Sequence, residues 1–189
     1  MSLPAPDSEL YRLMSQFPRG GRVQWIGLRP AREVGMVEVD AVEAVTGKGL
    51  HGDRYTLANS SGKRGVTLIQ AEHLPAIAAL SGHPVVAPAT LRRNLVVAGI
   101  PLVALKGRRF RVGDVVLEGT DSCDPCSRME AALGPGGYNA MRGHGGLTAR
   151  IVEGGTLHVG DAVTWVEAGA RAGIASSRMA SRAARMRPR

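Results

Sequence analysis

From Arg22 to Val166 the sequence is cut into short runs rich in β-branched residues, each closed by glycine, proline or a polar turn. That punctuation leaves little room for long helices and favours many brief strands. RVQWIGL (22–28), GMVEVDAVEAV (35–45), GVTLI (65–69), NLVV (94–97), LVAL (102–105), RFRV (109–112), VVLEG (115–119), LTARIVEG (147–154) and AVTWV (162–166) read as strands. The second ends at the Gly47-Lys48-Gly49 turn, and LHGDRYT after it reads as loop. With 25 Gly, 11 Pro and only 4% aromatic residues, the chain suits short elements joined by many turns. Two helices are expected. DSELYRLMSQF (7–17), capped by Asp7 or Ser8, should dock on the body through Leu10, Leu13, Met14 and Phe17; QAEHLPAIAALSG (70–82) has Pro75 in its first turn and Gly82 closing it. Val-Gly-Asp-x-Val recurs at 112–116 and 159–163 as two apparent hairpin turns. Seven or eight of these runs as body strands, with two or three helices, predict a mostly β, α+β domain, a closed barrel with a few short helices. The expected boundaries are an N-terminal extension over 1–20, a domain over 21–166 and a basic, disordered tail over 167–189.

The formal charge of +8 is concentrated at one end, because residues 171–189 carry six Arg and no acid. The body is close to balanced, so nucleic-acid binding is expected only through the tail, where Arg178, Arg182, Arg185 and Arg189 would share a helical stripe and Met179, Ala183 and Met186 another. Gly169, Gly173 and the serines work against that helix. No apolar run reaches membrane-spanning length and the N-terminus lacks export features, so a cytoplasmic protein with reduced thiols is expected.

Both cysteines lie in TDSCDPCSRMEAAL, Thr120 to Leu133. Asp124 reads as an N-cap and Pro125 as the first helical residue, which puts Cys126 at the second helical position, beside unpaired N–H groups that favour a thiolate. Cys126, Met129 and Leu133 would then share one face, so the Cys126 sulfur is expected to point inward and Cys123 to stand in the loop. Four roles compete. Cys126 can be a small buried hydrophobe beside Met129. A zinc site would need ligands beyond the single Cys-x-x-Cys, and no His pair at metal-binding spacing accompanies it. A dithiol redox pair fits the spacing but not the β-rich surroundings. A soft metal ligand or sulfur carrier needs only one nucleophilic sulfur in a pocket.

The ordered stretches GLHGDRYT, GVTLIQAEHL, TLRRNLVVAGIPLVALKGRRFRVGDVVLEGTDSCDPCSRMEAALG and GGYNAMRGHGGLTARIVEGGTLHVGD resemble the MOSC domain, named for the C-terminal part of molybdenum cofactor sulfurases, over about residues 20 to 166. The resemblance implies a β-rich barrel and makes Cys126 the hallmark cysteine, which binds the molybdenum of the cofactor or carries sulfur for it. Cys123 belongs to a subgroup with Cys-x-Pro-Cys, as a bystander, a resolving thiol or a second sulfur in a persulfide relay. No pyridoxal phosphate is expected, because the cysteine desulfurase part that precedes the domain in the sulfurases is absent from this chain.

A pterin cofactor ends in a phosphate or nucleotide, so its pocket needs anion-binding groups and backbone donors. Arg92, Arg93 and Asn94, with Arg54 of HGDR, are the first candidates; Arg54 and Asp53 also read as a surface ion pair. His51 and Asp53 join the cofactor set by resemblance. In MRGHGG (141–146), the glycines permit close backbone approach, Arg142 can reach the cofactor and His144 can act as a general acid. The resemblance implies a molybdenum-cofactor protein that reduces N-hydroxylated small molecules. An external electron donor is needed, since no Gly-x-Gly-x-x-Gly fingerprint appears. The alternative is a persulfide or cofactor carrier served by a cysteine desulfurase, with no turnover of its own.

Overall fold

In the computed structural model, which describes residues 4–57 and 62–166, eleven strands can be traced. They are β1 (Gly21–Leu28), β2 (Val37–Glu38), β3 (Ala41–Val45), β4 (Gly49–Leu50), β5 (Val66–Gln70), β6 (Leu95–Ala98), β7 (Arg109–Val112), β8 (Val115–Ser122), β9 (Leu147–Glu153), β10 (Gly155–His158) and β11 (Ala162–Trp165). Five short helices accompany them: α1 (Glu9–Met14), α2 (Arg54–Leu57), α3 (His73–Ser81), α4 (Ser127–Leu133) and α5 (Gly137–Met141). The sheet runs β11-β7-β8-β9-β5-β6-β1, and β11 pairs back onto β1, so seven strands close into a barrel without a free edge. β2 extends the sheet beyond β1, while β10, β3 and β4 form a separate small sheet. The expected α+β barrel is therefore what the chain builds.

Among the described strands only β5 and β6 pair in parallel, and α3 lies in the crossover between them, as a parallel pair requires. The two strands are buried on both faces. Val66, Leu68, Leu95 and Val97 fill the barrel with Phe110 and Leu117. Ile69 and Val96 face outward into a second cluster with Ile77 of α3, Met129 and Leu133 of α4, and Met141 of α5. Each of these large side chains, once fully buried, contributes on the order of 1.5–3 kcal/mol. The second cluster fixes the helices against the strand ends and so positions the cysteine segment.

Three local expectations are corrected. LVAL (102–105) is a 3-10 turn, not a strand, because Leu102 and Leu105 are buried at a spacing of three while Val103 is exposed. Val112-Gly113-Asp114-Val115 is a true two-residue hairpin, with Val112 paired to Val115 and Gly113 at φ 57°. Its echo at Val159-Gly160-Asp161 joins β10 to β11, which lie in different sheets, so it is a corner. The third concerns α1. Ser8 caps it as expected, its Oγ accepting the Tyr11 N–H at 3.1 Å, but Leu10 and Leu13 stay exposed. The N-terminal segment docks instead through Phe17, 5.7 Å from the Trp165 ring, and through the buried Arg108, whose guanidinium lies 5.0 Å from the Tyr11 ring and donates to Ser15. Among the described residues no helix is long and apolar enough to cross a membrane. The Arg-rich tail from 167 onward lies outside the described residues.

Candidate functional site

Strand β8 holds its pairing with β9 to its last residue, Ser122 opposite Leu147, and the Cys123 N–H continues it by donating to the Gly146 carbonyl at 2.9 Å. The chain is thus still extended at Cys123, and it stays non-helical through Cys126, so no helix starts at Pro125. α4 starts at Ser127 instead. Cys126 is its N-cap, in extended backbone (φ −139°, ψ 176°), with its carbonyl accepting the Met129 N–H at 2.8 Å and its side chain making no capping bond. This overturns the expected placement of the sulfurs. Cys126 is exposed and Cys123 is buried, 4% accessible. Met129 and Leu133 are buried as the helical spacing implies, but Cys126, lying outside the helix, does not share their face.

Arg93 ties this turn to the rest of the fold. Its guanidinium is buried and donates to three carbonyls: Leu91 at 2.7 Å, Gly145 at 2.8 Å and Cys123 at 3.0 Å. Burial pushes its pKa downward, opposed by the nearby Cys123 and Cys126 thiols, so both sulfurs lie within its electrostatic reach. The glycines of MRGHGG serve close packing here. A Cβ on Gly145 would collide with the Cys123 carbonyl oxygen, and Gly146 at φ 95° lies against the Leu68 carbonyl. Gly145→Ala is accordingly expected to cost about 1–3 kcal/mol and to displace Cys123. Thermal unfolding should show the loss, and Cys123 should alkylate faster than in the wild type.

On the other side of the Arg92–Asn94 turn lies a buried polar network. Asp53 is inaccessible to solvent and accepts from Arg29 Nε and the Arg29 N–H at 3.0 and 2.9 Å, from the Tyr55 N–H at 2.9 Å and from Asn94 Nδ2 at 2.9 Å. The expected surface pair of Asp53 with Arg54 is corrected: the partner of Asp53 is Arg29, 24 residues away, with the carboxylate fully buried and the Arg29 side chain 17% exposed. Asn94, also inaccessible, accepts from Arg29 Nη2 at 3.0 Å and from Thr67 Oγ1 at 2.8 Å. These bonds anchor the strand ends from which the neighbouring arginines project.

Arg92 occupies the left-handed region at φ 56°, donates through Nη1 to the Val34 carbonyl at 2.9 Å, and leaves Nη2 buried with no hydrogen-bond partner. Burial and the charges of Arg29, Arg128 and Arg54 push its pKa downward. Arg128 stands two residues after Cys126 on the first turn of α4, so the segment that carries the exposed thiol also carries one of the arginines whose charge reaches Arg92. His51 is exposed in the turn after β4, its N–H donating to the Glu43 carbonyl at 2.8 Å. Arg142 is exposed at the C-cap of α5.

Behind Cys123 lies a cavity of about 90 Å³, walled by Gln70, His73, Lys106, Ser122, Asp124 and the backbone of Gly143, Gly145 and Gly146, among others. His144 is half-buried, edge-on to His73 with ring centroids 5.0 Å apart, and the Nδ1 atoms of both rings are buried without a partner. Burial, then the neighbouring His144, pushes the His73 pKa below the usual histidine value. Sequence reasoning missed Arg29, Arg128, His73 and Lys106. No spacing rule links Arg29 to Asp53 or His73 to His144; only the sheet brings them together. Arg128 alone had a signal, as a cation beside the second cysteine.

The sequence matches the family model described as the MOSC domain over residues 49–164, more than half of the chain. No curated protein matches it in sequence. Among solved structures, the YuaD protein of Bacillus subtilis is similar with a TM-score of 0.67 at 18% identity, covering 78% of this chain and 97% of that one. YiiM of Escherichia coli is similar with a TM-score of 0.60 at 19% identity, covering 78% of this chain and 70% of that one. YiiM of Geobacillus stearothermophilus gives 0.62 at 17%, covering 78% and 75%. These likenesses speak for the fold, and the family model for descent: the chain belongs to the MOSC domain family, a family associated with the molybdenum cofactor.

Proposed function

We propose that the exposed face around Cys126 binds molybdenum cofactor, with the Cys126 sulfur as metal ligand and the arginines as the phosphate site. The observation that carries this reading is an accessible thiol two residues before Arg128, whose charge reaches Arg92 together with those of Arg29 and Arg54, where Arg92 Nη2 is buried and lacks an acceptor. An anionic group is what such an atom needs. Among the described residues no three His, Cys, Asp or Glu side chains converge on a metal site. A metal already chelated by its own cofactor asks the protein for just one soft ligand, and Cys126 offers it. Arg93 and Asn94 act by holding the cysteine loop and the arginine turn in place, Asp53 acts by holding Arg29, and the exposed His51 and Arg142 are assigned as further cofactor contacts.

When bound, the cofactor supplies a two-electron couple suited to taking oxygen from an N-hydroxylated substrate, with electrons from a separate donor. Each turnover also consumes two protons as the N–OH group becomes N–H and water. His144, on the glycine loop with an unpartnered Nδ1, is the residue assigned to deliver a proton. A second reading is supported by the exposure of Cys126, which leaves its sulfur open to another protein: the chain then carries sulfur or cofactor, receiving it from a cysteine desulfurase, without turnover.

Metal and pterin analysis of protein produced with the cofactor available tests the common part. Cys126→Ser is expected to retain less than about a tenth of the wild-type cofactor, equivalent to ~1.4 kcal/mol or more of binding, and Cys123→Ser to retain most of it. Equal loss in both variants would undo the assignment of roles. Turnover with a chemical electron donor and an N-hydroxylated base favours the reductase; transfer of cofactor to an apo-enzyme without turnover favours the carrier.

A further inference from the structure

His73 opens α3 and His144 lies in the glycine loop after α5, and the fold sets their rings edge-on with centroids 5.0 Å apart. The Nδ1 atom of each ring is closed to solvent and has no hydrogen-bond partner. We propose that His73 is a positioning residue for His144: its neutral Nδ1 accepts the His144 Nδ1–H, which leaves His144 Nε2 as the nitrogen that takes up and releases a proton. This rests on the assignment of His144 to proton delivery and adds the group that aims it.

A buried polar atom left unpaired is costly, and one N–H···N bond between these rings satisfies both orphans at once. Water does not supply the missing partner, because solvent reaches neither atom, and neither has a carboxylate at bonding distance. The backbone on both sides is held. The His144 N–H donates to the Met141 carbonyl at 2.9 Å, and α3 is seated by the buried Ile77 and Ala78. Only the rings are left to move, and from an edge-on start at this spacing a turn of one ring sets nitrogen against nitrogen. The cavity that His73 lines together with Gly143 and Gly145 gives room for that turn.

The direction of the bond follows from the surroundings. His73 has to be the acceptor, hence uncharged. Burial, then the charge of His144, pushes its pKa below the usual histidine value, while the His144 backbone and Glu72 act the other way. The other charges nearby are engaged: Lys106 with Asp121 at 2.6 Å, Arg93 with three carbonyls, and Glu72 with the Gly99 N–H at 2.8 Å. Asp124 and the Cys123 thiol complete the titratable groups of the cavity wall, and Arg142 is exposed. Neutral His73 is present above its folded-state pKa and lost as pH falls through it; once protonated, its Nδ1 is a donor facing a donor and the bond fails. With the bond made, His144 cycles between an imidazolium and the tautomer protonated at Nδ1. The proton passes from Nε2 to the oxygen of the N–OH group, which departs as water, and solvent returns one to the same nitrogen.

The test is 15N NMR of the ring nitrogens in the cofactor-free full chain labelled at histidine, with turnover measured separately on cofactor-loaded protein. At a pH where both rings are neutral, wild-type His144 is expected as the Nδ1–H tautomer and His73 as the Nε2–H tautomer. His73→Phe keeps a ring but removes the acceptor, so it should shift His144 to the Nε2–H form and lower kcat at least about tenfold with KM nearly unchanged. His73→Gln offers a carbonyl acceptor that does not titrate. It should bring kcat to within about threefold of wild type and remove the loss of rate on the acid side of ~6.5. Should His73→Phe fail to fold, His73→Leu replaces it. His144 protonated at Nε2 in the wild type, a His144 tautomer unchanged in His73→Phe, or a His73→Gln no better than His73→Phe would overturn the proposal. The two readings fail separately. The expected tautomers with turnover unchanged in His144→Gln remove His144 from proton delivery; Nε2-protonated His144 in the wild type with turnover lost in His144→Gln keeps it there and removes the role of His73.

Discussion

Asp53→Ala is expected to cost about 3–5 kcal/mol, the range for removing one partner of a buried ion pair. At roughly 2–4 °C per kcal/mol for a chain of this size, its Tm should fall by about 10 °C. The reason lies in what the carboxylate holds. Without it, the Arg29 Nε and N–H, the Tyr55 N–H and Asn94 Nδ2 lose an acceptor in a region with little water. The pH dependence follows from the same contacts. Burial, the largest single influence, raises the Asp53 pKa, but the Arg29 hydrogen bond and charge and the two backbone donors together outweigh it and leave the pKa lowered. A carboxyl depressed in the folded state contributes stability that is present above its unfolded value, ~3.9, and is lost as pH falls through the folded value. The wild type should therefore lose stability on acidification below about pH 4, and Asp53→Asn should show a shallower loss in that window. Equal slopes in urea unfolding for both proteins would show that Asp53 does not carry the acid sensitivity.

Arg93→Leu should have the next largest effect. It leaves the carbonyls of Leu91, Gly145 and Cys123 without the donor that joins them, at about 1–3 kcal/mol for each buried acceptor left unsatisfied, partly recovered by relaxation. A net loss of about 3–4 kcal/mol is expected, with Cys123 becoming reactive toward a thiol reagent under native conditions. Arg93→Lys should recover only part of this, because an ammonium cannot present the planar fork that reaches three separate carbonyls. If Arg93→Leu melts with the wild type and Cys123 stays protected, the guanidinium is not what seats the cysteine loop.

Much of the barrel was legible because its signals are local. β-branched runs bounded by glycine mark β1, β5 and β7 to β9; Ser8 marks the start of α1; Gly82 in the left-handed region, with φ 73°, marks the end of α3. LVAL failed because four apolar residues after a proline suit a strand or a 3-10 turn equally, and burial at a spacing of three chose the turn. The cysteine segment failed for a different reason. Asp-Pro is a good helix start locally, yet the pairing of β8 with β9 runs through Cys123 and delays the helix to Ser127. One delayed start exchanged the inside and outside thiols.

The candidate site divides in the same way. Which residues carry chemistry was readable: two thiols three apart, Arg92 and Arg93 before a strand, a histidine among glycines. Which of them faces the solvent, and with whom each is paired, was not. Arg93 holds three carbonyls, Asp53 pairs with Arg29, and His144 meets His73, all through contacts between segments far apart in the chain. Residue type and local spacing set the strands, the caps and the reactive groups, since these depend on neighbours along the backbone. Only barrel closure decided exposure and partners, since those depend on the burial of groups that sequence order keeps apart.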